Sequence, residues 1–214
     1  MGIYEFAGCV VSYEPLYGLL RRRMETYRSD TERQPDITLD GTKEDYEKLR
    51  KQYPHLSIEE CEYSCAGAEF YMKLLKHQGF MIHASAVEKE GKAYLFSAPS
   101  GTGKSTHAQL WRQTFKGEPI RIINDDKPAV CLQNGVFYAC GTPFSGKTDK
   151  NENRKAPIQG LCMLHRGKTN KIQKITSGEA LPLILPQTLF YGDEEETNLL
   201  LSFLDRFLQS VPVY

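Results

Sequence analysis

The spacing of apolar positions changes along the chain, and each change marks a predicted helix or strand. Apolar residues at helical spacing between caps and breakers predict helices, whereas short β-branched runs predict strands. We predict helices over residues 17–27, 43–52, 57–77, 106–115, 180–189 and 197–211. We predict strands over residues 3–13, 36–39, 120–123, 161–164 and 171–175, and a hairpin over residues 130–139 that turns at residues 134–135.

A second hairpin is predicted around Gly91, where a short polar segment separates two β-type runs. Antiparallel pairing outward from this turn brings Val87 near Ala93 and His83 near Ser97. The hairpin is followed directly by the most informative segment of the chain.

Composition and charge exclude several classes of protein. The 27 basic and 27 acidic side chains cancel, whereas a dedicated nucleic-acid binder carries a basic excess. No apolar stretch is long enough for a membrane helix, and Glu5 without a basic flank argues against a signal peptide. We therefore expect a cytoplasmic protein without nucleic-acid or membrane partners, and the sequence leaves homo-oligomerisation open. The six cysteines lack zinc-site spacing and are expected to be reduced thiols.

The strongest chemical signal is a glycine-rich segment over residues 98–106, between an apolar strand and a helix. This is the context of a P-loop, in which backbone N–H groups at a helix start bind phosphates. Gly101 and Gly103 permit the required backbone angles, Lys104 reaches the β- and γ-phosphates, and Ser105 binds Mg²⁺. The segment predicts ATP, or another nucleoside triphosphate, with Mg²⁺. The predicted nucleotide-binding residues are Ala98, Pro99, Ser100, Gly101, Thr102, Gly103, Lys104, Ser105 and Thr106.

One residue departs from the strict P-loop pattern, which has glycine where this chain has Ala98. Alanine is tolerated there if the backbone angle is ordinary. The alternative interpretation is a Gly-Ser loop that merely caps a helix.

Two adjacent acids, Asp125 and Asp126, follow the P-loop after the length of one helix and one strand. A right-handed crossover would place strand 120–123 beside the P-loop strand, with both acids at the phosphate site. One acid would hold Mg²⁺ and the other would accept a proton from an attacking hydroxyl. The alternative is an Asn-Asp turn ahead of Pro128. His83 is expected near the same site, with a core histidine as the alternative.

A polar and basic stretch over residues 144–157 shows no periodicity. We predict a mobile lid whose cations neutralise the transferring phosphoryl group, with Lys147 and Arg154 as the principal candidates. Lys150 and Lys155 lie in the same stretch. The alternative is an ordinary solvated loop.

Taken together, these segments resemble the HPr kinase and phosphoenolpyruvate carboxykinase-like superfamily of P-loop proteins. The resemblance rests on His-Ala-Ser at 83–85, SAPSGTGKST at 97–106, INDD at 123–126 and GTPFSGK at 141–147, and it spans residues 79–165. It implies an α/β fold: a P-loop core in a mixed sheet with antiparallel neighbours of the P-loop strand. The resemblance does not extend to residues 1–78, which we predict from their own helices and strands to be a small N-terminal α+β portion ahead of a P-loop domain over residues 79–214.

The resemblance also implies roles for individual residues. Asp125 is similar to the catalytic base, Asp126 would assist Mg²⁺, and His83 would match the active-site histidine, beside Lys104 at the phosphates. The arginine-glycine-leucine-glycine signature of HPr kinases has no full counterpart; the nearest segment is 158–162.

The sequence thus predicts an ATP- and Mg²⁺-dependent kinase that phosphorylates a serine-type hydroxyl on a peptide, a protein or free serine. Two alternatives stay open at this point. One is a nucleotide-binding accessory protein of a peptide-modification system that transfers no phosphate. The other is a structural domain with a vestigial P-loop.

Overall fold

The computed structural model describes residues 1–115, 117–189 and 193–214, which form a mixed α/β architecture on two sheets. A three-stranded sheet lies near the N-terminus, and a seven-stranded mixed sheet follows it. The strands are β1 (Gly2–Phe6), β2 (Cys9–Tyr13), β3 (Ile37–Thr38), β4 (Gly79–Met81), β5 (Ala84–Lys89), β6 (Lys92–Ser97), β7 (Arg121–Asn124), β8 (Ala129–Gln133), β9 (Val136–Cys140) and β10 (Lys155–Met163). The helices are α1 (Gly18–Glu25), α2 (Lys43–Gln52), α3 (Ile58–Leu74), α4 (Lys104–Thr114), α5 (Ser177–Ile184) and α6 (Glu194–Ser210).

All six predicted helices are present, and three of them start with a capping box. The predicted N-cap of α3, Ser57, accepts a hydrogen bond from the Glu60 N–H, and the Glu60 carboxylate accepts one from the Ser57 N–H. The same reciprocal capping box starts α2 at Thr42 and α5 at Thr176. These boxes satisfy N–H groups that the first helical turn leaves without acceptors.

The N-terminal strand prediction was wrong, because residues 3–13 form two strands instead of one. β1 and β2 pair antiparallel around Ala7 and Gly8, whose φ angles are 54° and 81°. The apolar run continues across this turn, so periodicity did not mark it. β3 then adds to β2 in parallel.

The large sheet has the order β4-β8-β9-β10-β6-β5-β7, and it curls so that its two ends meet. Only residues 82–83 separate β4 from β5, and only residues 125–128 separate β7 from β8. The two breaks face each other, since the Ala84 N–H donates to the Asp126 carbonyl at 3.0 Å. Both breaks therefore lie at the level where Ala84 pairs with Ser97, the last residue of β6.

The predicted β5–β6 hairpin is confirmed, with its register shifted by one residue. Val87 pairs with Tyr94 instead of Ala93, and Ala84 instead of His83 pairs with Ser97. The cause is a two-residue turn at Glu90 and Gly91, both with left-handed backbone angles.

The neighbours of the strand before the glycine-rich loop were predicted only in part. β6 has β5 as an antiparallel neighbour, as expected, but its other neighbour, β10, is parallel. β7 pairs with β5 instead of β6, because the tight hairpin already places β5 at that edge. β7 still runs in the same direction as β6, so both strands end at the same edge of the sheet.

The C-terminal part contains a second wrong prediction, the strand over residues 171–175. Only Ile175 makes a bridge there, to Val213, and Ile172 is 74 % exposed. The chain end lies beside β10, where the Leu161 N–H donates to the Pro212 carbonyl at 3.1 Å.

The N-terminal sheet and α3 share a hydrophobic cluster with β8, β9 and the segment after β9. Phe144 is fully buried in this cluster. Its ring lies 5.7 Å from those of Phe70 and Tyr71, and Gly67 leaves room for it, because a Cβ there would lie 3.0 Å from the ring. The predicted division at residues 78 and 79 falls between α3 and β4 and stays a prediction.

Two other features concern the cysteines and the lengths of the helices. All six cysteines are free, and four of them are buried. No helix in the described part of the chain is long and apolar enough to cross a membrane.

We expect Phe144→Ala to lower the free energy of unfolding by about 3–5 kcal/mol, the usual cost of removing a buried phenylalanine ring. Urea unfolding followed by circular dichroism would measure the change. Leu110→Ala is the matched control, since Leu110 is 49 % exposed and its truncation should cost far less. Equal effects of the two substitutions would contradict the assignment of Phe144 to the shared core.

Candidate functional site

Two glycines of the loop between β6 and α4 have backbone angles that favour glycine. Gly101 and Gly103 adopt φ angles of 77° and 122°, and a Cβ on either would meet no atom within 4 Å. Ala98 is buried and keeps an ordinary negative φ, so alanine fits where the strict pattern has glycine. The loop therefore presents its backbone to open space.

Free N–H groups gather where this loop enters α4. Within the described residues, the backbone N–H groups of Gly101, Gly103, Lys104 and Ser105 donate to no protein acceptor. Gly103 is the N-cap of α4 and has no side chain to satisfy them. Converging N–H groups at a helix start favour an anion such as a phosphate.

The Lys104 side chain lies folded over the same loop. The residue is 7 % exposed, and its Nζ donates to the Ala98 carbonyl at 2.9 Å. Burial lowers the pKa of Lys104, and the charge of Asp126 partly offsets this. A phosphate oxygen would give this ammonium a charged acceptor in place of a neutral carbonyl.

Asp126 and His83 meet across the gap between the two sheet breaks. His83 Nε2 lies 3.2 Å from Asp126 Oδ1, and His83 Nδ1 lies 3.1 Å from Gln187 Oε1. The other Asp126 oxygen pairs with Lys127. Burial by itself would raise the pKa of Asp126, but the hydrogen bond from His83 and the charge of Lys127 outweigh it and lower the pKa. The carboxylate is thus held in its charged form.

Asp125 has a different environment from that of its neighbour. It is 4 % exposed, and its Oδ1 accepts a hydrogen bond from the Gly146 N–H at 3.0 Å. Its Oδ2 accepts one from the Thr148 hydroxyl. Both oxygens therefore face the segment after β9, whereas Asp126 is the acid whose charge acts on Lys104.

Asn124 shapes the turn that carries both acids, and sequence reasoning did not assign it a role. Its buried side chain accepts hydrogen bonds from the N–H groups of Asp126 at 2.9 Å and Lys127 at 2.8 Å. Its amide nitrogen donates to the Thr142 hydroxyl at 3.1 Å. The Asn-Asp turn considered as an alternative is therefore present, and it presents the acids.

Of the two predicted lid residues, Arg154 lies away from the glycine-rich loop. Arg154 forms an ion pair with Glu88, with Nη2 at 3.0 Å from Oε1. Glu88 pairs with Ala93 at the start of β6, at the opposite end of that strand from the glycine-rich loop. Lys147 is exposed, whereas Phe144 and Ser145 are buried.

Two cations near the site were missed by sequence reasoning. Arg166 Nη2 donates to the Gly101 carbonyl at 2.7 Å, and Lys127 pairs with Asp126. Arg166 follows β10, and a parallel pairing of β10 with β6 would have placed it at this edge. Lys127 directly follows the acids in sequence, which was the available signal.

The donor set suits Mg²⁺ only in combination with phosphate. In the described ranges, no three His, Cys, Asp or Glu side chains cluster as a metal site. Mg²⁺ is usually bound by one or two protein oxygens together with substrate phosphates and water. The exposed Ser105 hydroxyl and the Asp126 carboxylate are oxygen donors of this kind.

Comparison with known proteins gives a distant structural similarity. No protein-family model matches the chain, and no curated protein matches it. Among solved structures, the HPr(Ser) kinase/phosphatase from Coxiella burnetii matches with a TM-score of 0.33 and 14 % sequence identity, covering 59 % of this chain and 93 % of that chain.

The lowered pKa of Asp126 predicts a pH-dependent contribution to stability. A carboxyl group with a folded pKa below its ordinary value of 3.8 stabilises the fold above that value, and the contribution is lost as the pH falls through the folded pKa. We therefore expect Asp126→Asn to lower the melting temperature at pH 7, and the gap to wild type to narrow below about pH 4.

Thermal unfolding of both proteins between pH 7 and pH 2 tests this. Asp30→Asn, at an exposed position, serves as the control. A gap that stays constant over the whole range would show that the charge of Asp126 is not what stabilises the fold.

Proposed function

We propose that this chain is a Mg²⁺-dependent phosphotransferase that moves the γ-phosphoryl group of ATP to a serine-type hydroxyl. The acceptor is a peptide, a protein or free serine. Residues 98–106 would hold the phosphates, and Asp125, Asp126 and His83 would form the acceptor side of the site.

One observation carries this proposal: the lysine of the glycine-rich loop and a charged carboxylate lie at the same edge of the sheet. Burial lowers the pKa of Lys104, and Asp126 is the acid that acts against this effect. A phosphate-binding loop alone suits many nucleotide-binding proteins. An acid beside it supports transfer to a hydroxyl, which needs both a phosphate clamp and a proton acceptor.

The proposed step needs no reactant other than ATP and the acceptor hydroxyl. The acceptor hydroxyl oxygen forms a bond to the γ-phosphorus as the bond from that phosphorus to the β–γ bridging oxygen breaks, and ADP leaves with the electron pair. The hydroxyl proton passes to a carboxylate. Lys104 and the free N–H groups stabilise charge on the phosphate oxygens. Mg²⁺, held by Ser105 and Asp126, would supply further neutralisation of that charge.

The two acids differ in their fitness for contact with reacting groups. Both oxygens of Asp125 already accept hydrogen bonds, and the residue is buried. The Asp126 side chain is 23 % exposed. Both Asp126 oxygens are paired too, with His83 and Lys127. The greater exposure of Asp126 therefore favours it over Asp125, the base that the family resemblance implies, as the acid that meets the acceptor and the metal.

Lys104→Met should abolish stabilisation by Mg²⁺ and ATP. Ligand at about 100 times its dissociation constant stabilises a folded protein by about 2.7 kcal/mol, which raises the melting temperature of a chain this size by roughly 5–10 °C. We expect this rise in wild type and in Lys92→Met, an exposed lysine at the far end of β6. A thermal-shift assay measures it, and no rise in wild type would favour the vestigial P-loop.

Asp126→Asn should lower phosphoryl transfer by about 100-fold or more, the usual contribution of a positioned acid–base group. Transfer is measured with γ-labelled ATP and a panel of serine-containing peptides and free serine. Nucleotide binding should persist, because the residues of the loop are unchanged. Asp125→Asn should lower phosphoryl transfer less, because Asp125 acts through the segment after β9 that it holds.

The reverse order of these two effects would return the proton-accepting role to Asp125. Binding of ATP without transfer to any acceptor, in wild type and both variants alike, would favour the nucleotide-binding accessory protein.

A further inference from the structure

Residues 144–149 form a wall against both acids. A Cβ on Gly146 would lie 3.2 Å from Asp125 Oδ1 and 3.2 Å from the Asp126 Cβ. The Gly146 N–H and the Thr148 hydroxyl donate to the Asp125 carboxylate. Any shift of this segment therefore moves the hydrogen-bond donors that orient Asp125 and the surface against which Asp126 packs.

The opposite side of the segment is held by Arg23 at the end of α1. Its Nη1 donates to the Ser145 carbonyl at 2.9 Å, and its Nη2 donates to the Gly146 carbonyl at 3.1 Å. Its Nε lies 3.3 Å from Asp149 Oδ1, and the side chain is only 10 % exposed. A planar guanidinium presents its donors in a fixed fork that suits two consecutive carbonyls and a carboxylate, whereas the ammonium of a lysine is a compact point charge without that fork.

Two other N-terminal residues help Arg23 to hold residues 144–149 in place. Tyr63 of α3 donates to the Ser145 carbonyl at 2.6 Å, and its ring lies under the Arg23 guanidinium at 4.9 Å. Tyr27 donates to Asn151 Oδ1 at 2.5 Å, and Asn151 donates to the Ser145 hydroxyl at 3.0 Å. The segment is thus fixed by residues more than 80 positions away in sequence.

We infer that Arg23 is a positioning residue for phosphoryl transfer: it holds residues 144–149 so that they orient Asp125 and support Asp126. Residues 1–78 thereby have a role in the reaction. They act through residues 144–149 and not through the glycine-rich loop. The inference rests on the proposed function, since it assigns the purpose of the wall to that reaction.

The test compares Arg23→Gln with Arg22→Gln. Arg22 precedes Arg23 in the same helix and is exposed. Its substitution therefore removes the same charge without touching residues 144–149. We expect Arg23→Gln to lower kcat by about 10- to 100-fold, because small misplacements of reacting groups have effects of this size. The KM for ATP should stay within about twofold of wild type, since the loop is not displaced, and Arg22→Gln should match wild type.

The assay uses γ-labelled ATP, Mg²⁺, serine-containing peptides and free serine. It measures phosphorylated products and released phosphate, so that transfer to water is detected as well. Amide hydrogen exchange at Gly146 gives an independent structural readout. We expect faster exchange in Arg23→Gln and unchanged exchange in Arg22→Gln. If Arg23→Gln does not fold, Arg23→Lys replaces it in the test. This variant keeps the charge beside Asp149 and should show part of the expected fall in kcat.

A double variant separates positioning from general destabilisation. Thr148→Val removes the hydroxyl that donates to Asp125 from within the wall. If Arg23 acts through the wall, Arg23→Gln combined with Thr148→Val should be about as slow as the worse single variant. Multiplied effects would mean that the two residues act independently, which overturns the inference.

The outcomes distinguish this inference from the proposed function. Wild type that transfers phosphate to none of the serine-containing peptides, to free serine or to water contradicts the proposed function itself. Active wild type with an equally active Arg23→Gln, or with Gly146 exchange unchanged in that variant, overturns the positioning role alone.

Discussion

The rest of the site depends on one constraint, the placing of two adjacent carboxylates at the end of a buried strand. Charged oxygens withdrawn from water are costly unless they are paired or hydrogen-bonded. Asp126 meets this requirement with His83 and Lys127, and Asp125 meets it with Gly146 and Thr148. Because these partners come from separate segments, satisfying the acids also fixes how the sheet breaks and the segment after β9 lie against each other.

Local features of this fold were readable from the sequence because their causes are local. Ser57 and Glu60 cap α3 through contacts three residues apart, and the turn at residues 134–135 follows from its own backbone preferences. Strand partners were not readable in the same way. An apolar run identifies β10 as a strand, but nothing in the run specifies that it pairs in parallel with β6 or that β5 would separate β6 from β7.

The same distinction explains which site residues were predicted. The glycine-rich loop is a local motif, and the hairpin brought His83 to its mouth within one residue of the true register. Arg154 was misplaced because a count of cations in a loop does not show which end of the sheet each one reaches, and it pairs with Glu88 at the far end. Arg166 and Arg23 went unassigned because their contacts join distant parts of the chain.

The segment after β9, for which its composition predicted a mobile lid, is held on both sides by contacts with the rest of the chain. Phe144 anchors one end in the core shared with α3, and Arg23 and Tyr63 hold the backbone that follows. Asp125 holds the same segment from the opposite side. Opening it would therefore expose an aromatic side chain and leave a buried carboxylate without its donors, two costs that add in one movement. Residues 144–149 thus contact both the N-terminal elements and Asp125, so stability and site geometry in this protein are coupled through this segment.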